Sequence, residues 1–189
     1  MRRTQEDRTR ATRAALLAAA RSLFAEKGYA AVPAEEIVTA AGVTRGALQH
    51  QFGDKRALFQ AVFEELETEL TARIATVTAT GTWPALEKGI TIFLDACELP
   101  GVRRIALLDA PAVLGWETWR QIESRHGLGL IEAALTQAVA EGLIRPQPTD
   151  VLARILLGAA IETALLVGAG HPRPEAEQAL LTLLRGLRT

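Results

Sequence analysis

Apolar positions recur along this chain at helical spacing, and almost nowhere at the two-residue spacing of a strand. Leu16, Leu17, Ala20, Leu23 and Phe24 form an i, i+3/i+4 stripe, so residues 8–27 are expected to make an amphipathic first helix that stops at Gly28. Pro33, Glu35 and Glu36 suit the first turn of a second helix, because proline's fixed φ fits there and carboxylates favour the positive end of the helix dipole. That helix should end at Ala41, with Gly42 as the stop and Val43 making the apolar contact that accompanies it. Thr44 can cap a short third helix to Gln51. Asp54 can cap a long fourth helix carrying Leu58, Phe59, Val62, Phe63, Leu66, Leu70 and Ile74 as far as about Thr78.

The same spacing continues beyond Pro84. A fifth helix is expected over 83–98, and a short sixth from Pro100 to the Asp109-Ala110-Pro111 run. A long seventh is expected over 116–141, bent around Gly127 and Gly129. Thr149 can cap an eighth ending near Gly168, and Pro174 opens a ninth with Leu180, Leu183, Leu184 and Leu187. The expected fold is therefore all-α with about nine helices.

Composition narrows the class. With 49% hydrophobic residues among 189, a sizeable core can form. No run reaches the roughly 18 consecutive apolar residues of a membrane span; the richest stretch, 155–170, is interrupted by Glu162 and Thr163. The first thirteen residues are charged and lack the apolar core of a signal peptide, and the lone Cys97 suits a reducing compartment. A cytoplasmic protein with no membrane partner is expected. The net charge of −1 speaks against nucleic acid until its distribution is examined. Residues 1–55 carry nine basic and six acidic side chains, whereas the remainder carries twelve and sixteen. A basic head on an acidic body is the asymmetry of a chain whose one end meets phosphate.

The segment 35–52, EEIVTAAGVTRGALQHQF, concentrates the chemistry. Two short helices joined at Ala41-Gly42-Val43 match a helix-turn-helix. Ile37, Ala40, Ala41, Val43, Leu48 and Phe52 would face a small core shared with the first helix. Thr44, Arg45, Gly46, Ala47, Gln49 and His50 would remain outward, a face without acid and without bulky apolar groups. Such a helix fits the major groove of DNA, with its N-terminal N–H groups toward phosphate.

On these residues the chain resembles the TetR (tetracycline-repressor-like) family of bacterial regulators. The matching pattern is Gly28-Tyr29, Ile37, Ala41 through Leu48, Phe52, Asp54-Lys55 and Leu58-Phe59, in order over the first third of the chain; segment 107–116 is similar to the ligand-domain region of some members. The resemblance implies a homodimer on palindromic double-stranded operator DNA, usually repressing and released by a small-molecule effector. Residues 1–54 would be the DNA-binding domain and 55–189 the ligand-binding and dimerisation domain. Carried over by position, Thr44 would cap the helix and touch phosphate, Arg45 would reach a phosphate or a guanine edge, and Gly46 would permit close approach. Ala47 would meet a thymine methyl, while His50 and Lys55 would contact the sugar-phosphate backbone. The chain departs from the pattern at Gln49, where a tyrosine is usual, and at Val32-Pro33, where hydroxyl residues are common. Gln49 can donate to phosphate or pair with adenine. Arg2, Arg3, Arg8 and Arg10 are either a solvated tail or a further DNA contact.

For the effector, the expected contacts are Trp116, Asp109, Phe93 and Glu162; Glu162 could instead pair with an arginine or sit at a dimer rim, and Asp109 and Arg104 are similar cases. The last two helices are expected to pair two-fold into a four-helix bundle, through stripes that include Ile155, Ala159, Thr163, Leu166, Leu180 and Leu183. Enzymatic chemistry is not expected. His50, His126 and His171 have no metal-ligand spacing, Ser124 and His126 project from different helix faces, and no glycine-rich phosphate motif occurs, so neither metal nor cofactor is called for. The competing class is a helical bundle that binds a small molecule or a protein without specific DNA binding, and it would leave the acid-free face of the third helix unexplained.

Overall fold

The computed structural model describes residues 5–77 and 81–189. Thr78, the expected end of the fourth helix, and the tail residues Arg2 and Arg3 lie outside the described residues. In chain order the helices are α1 (Gln5–Lys27), α2 (Ala34–Ala40), α3 (Arg45–Phe52), α4 (Lys55–Ala75), α5 (Thr82–Glu98), α6 (Pro100–Val102), a π-helical stretch Arg103–Asp109, α7 (Ala110–Leu114), α8 (Trp116–Arg125), α9 (Gly127–Ala140), α10 (Thr149–Gly168) and α11 (Arg173–Arg185). Among the described residues the only β-type pairing is an isolated antiparallel bridge between Ile144 and Arg188. The fold is all-α, as the hydrophobic spacing requires.

Two compact units are present: residues up to Leu66 with Pro100–Trp119, and Glu67–Leu99 with Arg120–Thr189. In the first, Leu16, Ala20, Phe24, Ile37, Leu58, Phe59, Val62 and Phe63 are fully buried. Phe24, Tyr29 and Phe59 meet in pairs at centroid separations of 5.1 to 5.6 Å, an aromatic knot that joins the end of α1 to α4. The α6 start lies so close to α1 that a Cβ at Gly101 would stand 2.7 Å from that of Ala25. Arg56 of α4 donates to the carbonyls of Val113 and Leu114 at 3.1 and 2.8 Å, satisfying the last turn of α7.

The second unit packs α10 against α5, α9 and α11. By length and composition α10 is apolar enough to cross a membrane. Its Ala153, Leu156, Leu157, Ala160, Ile161 and Ala164 are buried in the unit, the position of a central core helix. Arg185 of α11 pairs with both oxygens of Glu87 on α5 at 2.8 Å.

Several helix limits differ from those the sequence pattern predicts. Pro111 lies inside α7 rather than ending the sixth helix. The preceding stretch is π-helical, with the Ala110 N–H reaching Ile105 O, and this widening gives the proline ring room that an α-turn denies it. The expected seventh helix is two, broken at His126, whose φ of −111° and ψ of −97° are not helical. Pro33 and Pro148 stand just outside α2 and α10 as extended caps, so Thr149 is a helical residue and not a cap.

Candidate nucleic-acid interface

The turn between α2 and α3 is built by backbone chemistry. Gly42 has φ +65°, a conformation that costs a side-chain-bearing residue roughly 1–2 kcal/mol. It lets Val43 N donate to Val38 O at 3.0 Å and Gly42 N to Thr39 O at 3.1 Å, the paired bonds that close a helix end. Thr44 is extended and its Oγ1 accepts from Ala47 N at 3.2 Å, capping α3 as its sequence position suggests. Asp54 does the same for α4, accepting from Ala57 N at 2.7 Å. Ile37, Val38 and Leu48 are the buried anchors of the two helices. Ala40, expected inside, is exposed, and Val38 takes the buried place.

The predicted contact residues fall on one element and its borders. Thr44, Arg45, Gly46, Gln49 and His50 are exposed and Ala47 is half-buried. Around Gly46 a Cβ would meet only Thr44 Oγ1, at 3.8 Å, so the α3 backbone is open to close approach. Arg45 ion-pairs with Glu35 of α2. Arg8 and Arg10 are exposed on α1, whereas Arg13 lies over the Phe52 ring at 4.3 Å and donates to Gln51 O, binding α1 to the end of α3.

Lys55 is placed differently from the rest. Its Nζ donates to the carbonyls of Tyr29 and Val32 at 3.0 and 2.9 Å and stands 3.9 Å from the Tyr29 ring centroid. Burial pulls its ammonium below the usual lysine range. It therefore fastens the α1–α2 connection to α4, leaving one N–H for any other acceptor.

The four side chains expected at an effector are distributed over both units. Trp116 is 61% exposed and packs its ring 4.9 Å from that of the buried Trp119, whose indole N–H donates to Ala106 O. Asp109 Oδ2 accepts from Tyr29 N at 2.8 Å, and Arg104 donates to Glu26 O at 3.0 Å, so both hold the end of α1. These residues belong to the first unit. Phe93 is half-buried on α5 and Glu162 exposed on α10, both in the second. A small cleft in the second unit is lined by Leu94, Cys97, Glu98, Ala164, Val167 and Arg173, and by none of the four.

Sequence reasoning passed over two acids, Glu67 on α4 and Glu123 on α8. Burial, reinforced for Glu67 by the charge of Glu123, pushes its carboxyl up to about 7. Burial raises Glu123 to about 7 as well, against the opposing pull of Arg120. The signal was available: Glu67 lies four residues after Phe63 and three before Leu70, and Glu123 four after Trp119, all within the apolar register.

Residues 16–62 match the profile of the bacterial regulatory proteins, tetR family, and residues 83–187 that of a tetracyclin repressor-like C-terminal domain. The Transposon Tn10 TetC protein of Escherichia coli is 31% identical over 155 residues, covering 82% of this chain and 79% of its own. A TetR-family transcriptional regulator from Pectobacterium atrosepticum superposes with a TM-score of 0.83 at 32% identity, over 99% of this chain and 98% of that one. A structure of RolR in complex with resorcinol shares the fold, with a TM-score of 0.77 at 17% identity over 97% and 90% of the two chains.

Proposed function

The chain belongs to the TetR family of DNA-binding transcriptional regulators, and from that premise we propose that it is a repressor released from a palindromic operator by a small molecule. The observation that carries the operator-binding half is the exposed, acid-free face of α3, capped by Thr44 and presented by the Gly42 turn. On that face Thr44, Arg45, Gly46, Ala47, Gln49 and His50 are assigned to DNA. Gln49 and His50 follow the helix inward from the N-terminal end that meets phosphate. Lys55 joins them through its remaining N–H. We assign DNA binding to residues 1–54, and effector binding and dimerisation to 55–189. The protein is proposed to act in the cytoplasm and to catalyse no reaction.

The dimer is proposed to form through α10 and α11. Val151, Ile155 and Leu166 of α10 and Leu183 of α11 are large apolar side chains left exposed, whereas Leu180, Leu184 and Thr163 are buried in the chain's own core. Glu162 lies seven residues beyond Ile155 and four before Leu166, on the same helical face, where a carboxylate at the rim of a two-fold contact stays hydrated. Effector binding is assigned to the helical domain beside Phe93; the resorcinol held by RolR supports a small aromatic as one class the fold can hold. Half-sites about one helical turn, ~34–36 Å, apart must be met by both recognition helices at once, so a small change in their separation ends binding. Because α4 supplies residues to both units, a shift of its second half is transmitted along one continuous helix. The effector must bind the DNA-incompetent state more tightly, or the population does not move.

Adding negative charge to the α3 face tests the reading. The Gln49→Glu, His50→Glu double variant should lose binding to double-stranded DNA while remaining a dimer by sedimentation. Binding equal to that of the unaltered protein would remove α3 from the interface.

A further inference from the structure

The two acids at the start of α2 have different partners. Glu36 pairs with Lys27 of α1 at 2.5 Å, whereas Glu35 reaches across the turn to Arg45, the first residue of α3, Oε1 to Nη1. Both members of the second pair stay largely in solvent, 60% and 77% exposed, so the pair adds little to the stability of the fold. What it fixes is the direction of a guanidinium on the face assigned to DNA. The first turn of α3 has no acid of its own, so this carboxylate is brought there from the neighbouring helix.

Resting on the operator-binding reading above, we infer that Glu35 is a positioning residue that makes Arg45 a reader of a guanine edge rather than a phosphate contact. The guanidinium is a rigid fork of five N–H donors, and among the described residues its one partner is Glu35. A phosphate approaching that fork would set a second anion beside the Glu35 carboxylate. Guanine O6 and N7 are uncharged acceptors and can share the fork with the carboxylate, which holds it in the plane a bidentate contact needs. Phosphate has its own place close by. The N–H groups of Arg45 and Gly46 open the α3 N-terminus, while the Thr44 cap occupies that of Ala47. An unpaired carboxylate here would repel DNA; paired with Arg45, it trades affinity for selectivity.

The experiment uses the full chain and a duplex recovered by selection from a randomised double-stranded library. Affinity is measured on that duplex and on derivatives with each half-site base pair replaced, across a salt series. Arg45→Ala made together with Glu35→Gln, which removes the pair without changing net charge, should lose a preference of about tenfold or more for one G·C pair in each half-site, with the salt slope unchanged. Glu35→Gln should lose preference at that same pair, while its salt slope steepens by about one per subunit as the freed guanidinium turns to phosphate. A structural role for Glu35 would move neither readout. The inference is overturned if Glu35→Gln keeps the preference. It is equally overturned if the double variant weakens all duplexes alike and flattens the slope by about one per subunit. A wild-type protein that selects no sequence overturns the operator-binding reading itself, and that result is separately visible before any variant is made.

Discussion

Replacing Glu67 by glutamine removes the charge of a half-buried side chain while keeping its shape, and its effect on stability should depend on pH. The carboxyl moves from an ordinary value of 4.5 to about 7 in the folded chain, first through burial and then through the charge of Glu123. Between those two values the folded state holds a proton that the unfolded state has released. Stability therefore falls as pH rises from about 4.5 to about 7, and the loss is complete above the folded value. A tenfold difference in proton affinity between the two states is worth about 1.4 kcal/mol, so the shift at Glu67, part of it owed to Glu123, costs the folded state about 3 kcal/mol at pH 8. Glu123 acts in the same direction. Glu87, held below the carboxylate range by Arg185, acts in the opposite sense and only at more acid pH, so it does not mask the effect. Urea unfolding at fixed protomer concentration, repeated between pH 5 and pH 9, measures the slope. Glu67→Gln should be more stable than the wild type by about 3 kcal/mol at pH 8, with the difference vanishing near pH 4.5. A wild-type stability that is flat or rising across that interval, or a variant no more stable at pH 8, would refute the reasoning.

Other variants probe the remaining contacts. Gly42→Ala should cost roughly 1–2 kcal/mol in unfolding free energy, all of it from the backbone, because a Cβ there meets nothing within 4 Å; Gly42→Asn should recover part of the loss. Lys55→Met removes two charge-assisted bonds to part-buried carbonyls and the contact with Tyr29, and thermal unfolding should show a loss on the order of 2–3 kcal/mol. Ile155→Glu with Leu183→Glu places charge on side chains 61% and 67% exposed in the single chain, so sedimentation should show a folded monomer for the variant and a dimer for the wild type.

How much was legible in the sequence depended on how local the determining chemistry was. The stretch from α1 to the start of α4 was readable nearly to the residue, because Gly42, Thr44 and Asp54 each act on backbone groups within a few positions of themselves. Lys55 shows the opposite case. The carbonyls of Tyr29 and Val32 come within its reach only when α1, α2 and α4 have packed, so a basic residue at a helix start looked free for phosphate. The choice among the C-terminal leucines was likewise tertiary. Leu180, Leu183 and Leu184 are equal in periodicity, and the position of α11 against α5 and α10 leaves Leu183 outside. The π-helical stretch before Pro111 followed from a clash that pattern alone does not resolve, since a proline can equally end a helix or widen it.

The central claim is that α3 reads a two-fold symmetric site in double-stranded DNA. Selection of bound fragments from genomic DNA by the purified chain is the decisive test. One inverted repeat should be enriched, with half-site centres about one helical turn, ~34–36 Å, apart. That enrichment should disappear with the Gln49→Glu, His50→Glu variant. Recovery of fragments with no shared symmetric sequence, or the same repeat recovered by that variant, would contradict it.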